Sequence, residues 1–268
     1  MDPLSPAAFP HRFFSVPRMT RDGAQSAESG LELRLLGGIE LRGASSGAAD
    51  ALLAQTKPVA LLAFLALSPS GLFQRRDRLV GLLWPDLDQA HARAALRKAL
   101  HELRAALGTE TLVAHGDDEI AVATGAIRCD AVEFASALDD RRLARALELY
   151  RGDLMPGFYL SGCLEYERWL EDERTVARER AAAAAWALAV AFEGESQLTD
   201  AGAWARRATR HARADERVLR RAMTMLERLG DRAGAIKLYD DFAVRLRADL
   251  DVEPSTETTE LMKAIRAR

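Results

Sequence analysis

Between residues 93 and 104 the chain sets five positive or chargeable side chains, Arg93, Arg97, Lys98, His101 and Arg104, at spacings that suit one face of a helix. At about 100° per residue, Arg93, Arg97, His101 and Arg104 fall within an arc of about 80°, and Lys98 lies about 60° further round. Leu96, Ala99, Leu100, Leu103 and Leu107 occupy a separate arc of about 100° and form the face that buries. The chemistry this arrangement supports is recognition of a polyanion. Arg and Lys clamp phosphates or reach guanine edges, and a major groove about 12 Å wide admits one such helix. Ala94 and Ala105, between the basic positions, are short enough to let the backbone approach and can meet a thymine methyl. Arg75, Arg76 and Arg78 open the preceding helical segment, where a helix crossing the DNA backbone meets phosphates in helix-turn-helix docking. The plainer alternative is a solvated basic face, the usual fate of such a stripe on an amphipathic helix.

Other residue patterns carry less chemistry. Gly43-Ala-Ser-Ser-Gly47 has the spacing of a nucleophile elbow, but that turn needs a buried parallel strand before it, and Ile39–Arg42 is short and half polar. The histidines occur singly, and His101-Glu102 lacks the second histidine four residues on that a zinc-protease helix requires. No glycine-rich loop ends in Lys-Ser or Lys-Thr, so nucleotide hydrolysis has no phosphate cradle. Cys129 and Cys163 have no paired metal-ligand spacing and read as small buried apolar residues. Trp84, Trp169, Trp186 and Trp204 lie on apolar faces or element ends, where packing accounts for them. The expectation is a chain that is not an enzyme and uses no cofactor or metal.

A net charge of −3 over 268 residues does not mark a nucleic-acid binder. Local clustering decides, because phosphate attraction reaches about a Debye length, ~8 Å at physiological salt. Residues 75–104 hold seven Lys and Arg against four Asp and Glu. With 49% hydrophobic and 29% charged residues the chain can build packed cores, and its length suits two domains rather than one. The longest apolar stretches, Pro58–Leu67 and Ala181–Phe192, fall short of the ~20 residues that cross a bilayer. Residues 1–30 lack the positive start and long apolar core of a secretory signal. Two cysteines make no disulfide framework, so a cytoplasmic location without a membrane partner is expected.

The elements that must position the basic helix are legible in outline. Residues 1–30, rich in Pro, Ser and Gly, read as a flexible tail in which Met19 is a second candidate start. Leu31–Leu36 alternates apolar with charged residues, Gly37-Gly38 interrupts it, and Ile39–Arg42 alternates again, which is a hairpin signal. Gly43–Ala49 reads as a loop, Pro58–Leu67 as a buried helix, and about Arg75–Leu83 as the next helix, closed by Trp84-Pro85. Asp86 and Gln89 have capping-box spacing ahead of the basic helix, and Gly108 stands where that helix, about 28 Å long, should end. Thr111–Ala114 and Glu119–Ala123 form a second hairpin around His115-Gly116-Asp117-Asp118, whose acidic tip opposes insertion into a minor groove. From Cys129 onward the pattern is helical. Asp130 and Glu133 repeat the capping spacing, and helices follow at about Arg141–Tyr150 and Glu165–Phe192, joined by Gly152–Gly162. Asp200-Ala-Gly-Ala-Trp204 and Arg232-Ala-Gly-Ala-Ile236 echo each other at an offset of 32 residues, the length of a helix-pair repeat in which a small residue lets two helices approach.

Four of these segments, Leu31-Glu-Leu-Arg-Leu-Leu-Gly37, Lys57-Pro-Val-Ala-Leu-Leu-Ala63, Leu82-Leu-Trp-Pro-Asp86 and Leu96-Arg-Lys-Ala-Leu-His-Glu-Leu-Arg-Ala-Ala-Leu-Gly108, resemble the winged-helix domain of SARP-type transcriptional activators, which is related to the OmpR-type fold. Cys129-Asp-Ala-Val-Glu-Phe134, Leu149-Tyr-Arg-Gly-Asp-Leu154, Trp169-Leu-Glu-Asp-Glu-Arg174 and Val252-Glu-Pro254 resemble the bacterial transcriptional activation domain of the same family. The likeness covers about residues 31–268. It implies a mainly α chain with a small β component: a winged-helix DNA-binding domain over residues 31–126 and an all-α, tetratricopeptide-like activation domain over 127–268. It also implies a sequence-specific, DNA-binding transcriptional activator in which helix 89–107 enters the major groove and brings Arg93, Arg97, Lys98, His101 and Arg104 to double-stranded DNA. The helical domain is then expected to contact RNA polymerase or a second protomer, and a homodimer on DNA would lengthen a site of which one winged helix reads few base pairs. The alternative is a helical-repeat adaptor for a protein partner, without DNA binding.

Overall fold

The computed structural model describes residues 30–44, 46–69 and 71–268, so the tail expected over residues 1–30 lies, up to residue 29, outside the described residues. Two compact units are present. The first holds the described residues up to Asp140 together with Glu148–Ala177; the second holds Arg141–Leu147 and Arg178–Arg268. The division expected at residues 126–127 falls inside the first unit, because strand and helix beyond it complete the first sheet.

In that unit, alternating apolar and charged side chains form the hairpin of β1 (Glu32–Arg34) and β2 (Glu40–Arg42), with Leu33 opposite Leu41 on the buried face. A third strand, β6 (Arg128–Cys129), pairs parallel with β1. The second sheet is antiparallel, with β5 (Glu119–Val122) between β3 (Gln74–Arg75) and β4 (Leu112–His115). His115 pairs with Glu119, so the wing loop is only Gly116-Asp117-Asp118. Neither β3 nor β6 was foreseen, since a two-residue strand has no period to read.

Four helices, not three, separate the hairpins: α1 (Ser46–Leu53), α2 (Thr56–Leu67), α3 (Arg76–Leu83) and α4 (Gln89–Leu107). The expected loop Gly43–Ala49 turns helical at Ser46, and Ala49 and Leu52 of α1 are buried. Small residues there mask the apolar spacing. Helix α2 is apolar on every side and buried nearly throughout from Pro58 to Leu67, as such a helix must be. The cap of α4 is Asp88 rather than Asp86: its carboxylate accepts the amide N–H of Ala90 and of His91, each at 3.0 Å. A capping oxygen must reach the second and third helical amides, and Asp86 stands two residues too early. Gly108 ends α4 with φ at +94°, a conformation that suits glycine.

Asp130 and Glu133 do not make a capping box on α5 (Asp130–Asp139), whose N-cap position is Cys129. Instead the Asp130 carboxylate accepts the amide N–H of Leu35 at 2.8 Å and of Leu36 at 3.2 Å, fastening α5 to the end of β1. Burial holds the Asp130 carboxyl above its usual pKa. The connection after α5 returns to the same place. Leu154 bridges to Leu36, the Met155 amide donates to the Leu35 carbonyl at 2.7 Å, and the Gly37 amide donates to the Asp153 carbonyl at 2.9 Å. Gly37 and Gly152 press together so closely that a Cβ on Gly152 would lie 2.9 Å from the Gly37 Cα. Met155 adopts a φ of +45°, uncommon for a residue with a side chain. Arg174 of α7 (Leu164–Gly194) secures this turn, its guanidinium donating to the carbonyls of Leu154 at 2.9 Å, Met155 at 2.6 Å and Phe158 at 3.0 Å.

The second unit begins with most of α6 (Leu143–Leu149) and takes the later half of α7. It continues through α8 (Leu198–His211), α9 (Glu216–Arg228), α10 (Arg232–Leu250) and α11 (Thr256–Ala267). The echoed segments fall in the first turns of α8 and α10, so two helix pairs succeed each other. Gly202 lets α8 approach α9, since a Cβ there would stand 3.3 Å from Leu226, and one on Gly234 would run into the Asp231 carboxylate and the Arg206 guanidinium. Leu219, Ala222, Met223, Leu226, Phe242 and Ile265 form the core between them.

Two expectations follow for the first unit. Glu173 is buried on α7, and loss of hydration, reinforced by the Asp172 charge and opposed by a bond from Trp169, pushes its pKa up to about 7. A folded-state pKa above the ordinary 4.5 means that ionisation disfavours the fold, so stability falls as pH rises from about 4.5 to 7 and is level beyond. Urea unfolding of Glu173→Gln across pH should match the parent below pH 4.5 and exceed it by roughly 3 kcal/mol above pH 7. An offset equal at every pH would contradict this. Arg174→Met removes three hydrogen bonds, leaving the Met155 carbonyl only the Phe158 amide at 3.1 Å, and should lower the unfolding free energy by about 3 kcal/mol, with Arg174→Lys recovering only part because it lacks the planar fork. A change within about 0.5 kcal/mol of zero would show that the turn holds without the guanidinium.

Candidate nucleic-acid interface

Helix α4 packs on α1, α2 and α3 through Ala92, Leu96, Ala99, Leu100, Leu103 and Leu107, all buried. That seam fixes the rotation of the helix about its own axis. Arg93, Arg97, Lys98 and His101 are consequently exposed, together with Ala94 and Ala105, and Arg104 is half-buried. The basic residues are not equivalent. Among the described residues the side chains of Arg97, His101 and Arg104 have no hydrogen-bond or ion-pair partner. Lys98 lies a loose 3.8 Å from Glu102 on its own helix, while Arg93 is held at 2.9 Å by Asp77 of α3. From Arg93 to Arg104 the row runs about 16 Å along the axis at 1.5 Å per residue.

The three arginines before it are placed differently. Arg75 is exposed on β3 opposite Glu119. Arg76 is half-buried; its amide donates to the Asp118 carbonyl at 2.8 Å, which ties α3 to the wing loop, and its Nε has no partner among the described residues. The Arg78 guanidinium donates to Gln74 Oε1 at 3.0 Å and lies 5.4 Å from the centre of the Phe64 ring, and burial lowers its pKa. Arg78 is nonetheless exposed, and spacing in the sequence cannot distinguish an exposed arginine that also lies over a core ring from one that meets solvent alone. His91 escaped the sequence reading. It is exposed in the first turn of α4, its Nδ1 2.6 Å from Asp88 Oδ2, and the signal for it was its seven-residue spacing from Lys98, which sets the two about 20° apart.

The surroundings are acidic. Over residues 30–140 and 148–177 there are fourteen Lys and Arg against twenty-two Asp and Glu, so attraction for a polyanion must be local to α4 and the start of α3. Asp117 and Asp118 are exposed at the wing tip, with Glu119 bound to His115 at 3.1 Å. Cys129 is buried, which pushes its thiol up to about 12, and the buried Cys163 donates to the Leu83 carbonyl at 3.2 Å and accepts from Lys57 Nζ at 2.8 Å. Ser45 of the elbow-like sequence lies outside the described residues, but β2 before it is an edge strand paired antiparallel. Among the described residues no single helix is long and apolar enough to cross a membrane.

Residues 119–266, more than half of the chain, match the family described as the bacterial transcriptional activator domain. No curated protein matches. A solved structure of Mycobacterium tuberculosis EmbR in complex with a low affinity phosphopeptide has a TM-score of 0.55 at 18% identity, over 89% of this chain and 65% of that one. The present chain thus spans 65% of the length of that protein, and at this identity the likeness is one of fold. The fold class is as expected: mainly α with a small β component, a winged helix before tetratricopeptide-like helices. With the family match covering more than half of its residues, the chain belongs to the bacterial transcriptional activator domain family.

Proposed function

We propose that the protein binds double-stranded DNA sequence-specifically with α4 in the major groove, and that its helical unit contacts RNA polymerase or a second protomer. One observation carries this reading: Arg97, His101 and Arg104 point away from a buried seam and have no partner among the described residues. An arginine left without a carboxylate in an acidic unit keeps its full donor fork for guanine edges or phosphates. Arg97, Lys98 and His101 then read or clamp the groove, and Arg104 continues the row. Arg93 and Arg75 meet the flanking backbone, and Arg76 and Arg78 add charge beside it while orienting α3. The acidic wing tip stays clear of the minor groove. On this reading the winged helix within residues 31–126 holds the DNA and the helices beyond it carry the protein contacts, in the cytoplasm and without a catalytic step.

Titration of a fluorescent duplex, selected from random sequences, tests the reading. Affinity should fall with log salt at a slope of about −0.9 per phosphate neutralised. Arg97→Ala should lose about 1–3 kcal/mol on the selected site and little on random DNA, whereas Arg76→Ala weakens both alike. Parent-like binding by both variants, or binding indifferent to salt, would favour the adaptor. Footprinting should show two protected repeats whose centres lie one helical turn, about 34–36 Å, or a multiple of it apart. One short protected half-site at saturation would contradict the paired arrangement.

A further inference from the structure

In the second unit, the later half of α7, α9 and α11 enclose a groove of about 520 Å³ that the DNA reading does not use. Its wall is the outer face of α9, where Arg221, Thr224 and Arg228 are exposed at the spacing that aligns residues on one side of a helix. Its apolar floor is formed by Met225, which is buried, and by Trp186 and Leu261, which are only partly covered. The arginines differ in how they are held. Arg228 is gripped by both oxygens of Glu193 at 2.8 Å, and Arg220 is held by Glu257 at 3.0 Å and Thr258 at 2.8 Å. Arg221 has no carboxylate partner among the described residues, and its guanidinium lies 4.3 Å from the centre of the Trp186 ring.

We infer that this groove docks an acidic segment of a partner protein, placing a carboxylate on Arg221 and an adjoining apolar side chain against Trp186 and Leu261. The stack on Trp186 fixes the plane of the guanidinium without consuming its donors, which leaves a fork oriented for a bidentate carboxylate. A pocket of this size takes a few side chains, and its apolar floor beside polar walls suits a peptide. A continuous phosphate chain is disfavoured, because Glu193 and Glu257 stand at the same arginines, whereas a peptide can set apolar residues between its charges. Charge over the whole unit points the same way: residues 141–147 and 178–268 hold twenty Lys and Arg against fifteen Asp and Glu, the reverse of the first unit. That excess steers an acidic partner to the helical unit rather than to the acidic one.

The test uses the full chain and fluorescein-labelled Asp-Leu-Asp-Asp-Leu-Leu-Asp, read by anisotropy beside the same peptide with Lys at each Asp. Saturable binding of the acidic peptide alone is expected, weakened about tenfold or more by Arg221→Glu and severalfold by Trp186→Leu. Arg221 is exposed, so Arg221→Glu should unfold at the parent's temperature and bind duplex DNA as the parent does. No saturable binding, equal binding of the lysine peptide, undiminished binding by Arg221→Glu, or displacement of the peptide by random duplex DNA would each overturn the assignment.

Discussion

Everything at the candidate interface depends on the burial of one helix face. Leu96, Ala99, Leu100, Leu103 and Leu107 are removed from water against α1, α2 and α3, and at about 25 cal/mol per Å² of apolar surface this is the strongest force acting on α4. A rotation large enough to bring Arg97 inward would expose leucines and bury a charge. The orientation of the basic row is therefore a by-product of the core. Asp88 at one end and Gly108 at the other set the length of the helix.

A second constraint joins segments far apart in sequence. Two glycines in contact, Gly37 and Gly152, the Asp130 carboxylate on the Leu35 and Leu36 amides, and the Arg174 guanidinium on the Leu154–Phe158 turn all meet at the end of β1. The family match begins at residue 119, within β5, and the compact unit runs on to Ala177, so neither coincides with a cut after the second hairpin. A sheet of three short strands has too little surface to stand alone, and α5 with the returning turn supplies the rest. The motif Leu149-Tyr-Arg-Gly-Asp-Leu154 is best understood as half of this joint.

What the sequence revealed, and what it concealed, follows from the range of the forces involved. Periodic burial is local, so α4, both hairpins and the long helices were legible to within a residue or two, and the 32-residue echo landed on α8 and α10. Helix α1 was hidden because Gly47, Ala48 and Ala49 look like a loop until Leu52 and Leu53 are seen to share their helix. Caps were misplaced where two acids competed: Asp86 and Asp88 both precede α4, and only the distance to the amides decides between them. Asp130 was misjudged for a different reason, since its partners stand 95 and 94 residues away. The division of labour among the arginines was equally out of reach, because Arg78 over Phe64 and Arg93 on Asp77 are tertiary contacts.

The remaining question is whether the uncovered row on α4 meets bases. Methylation of guanine N7 places a group in the major groove and nowhere else, so interference mapping on the selected duplex is the most direct measurement. Methylated guanines should block the parent at discrete positions within each half-site, and at least one of those positions should become indifferent in Arg97→Ala. Interference that is absent, or identical in parent and variant, would contradict major-groove reading by α4.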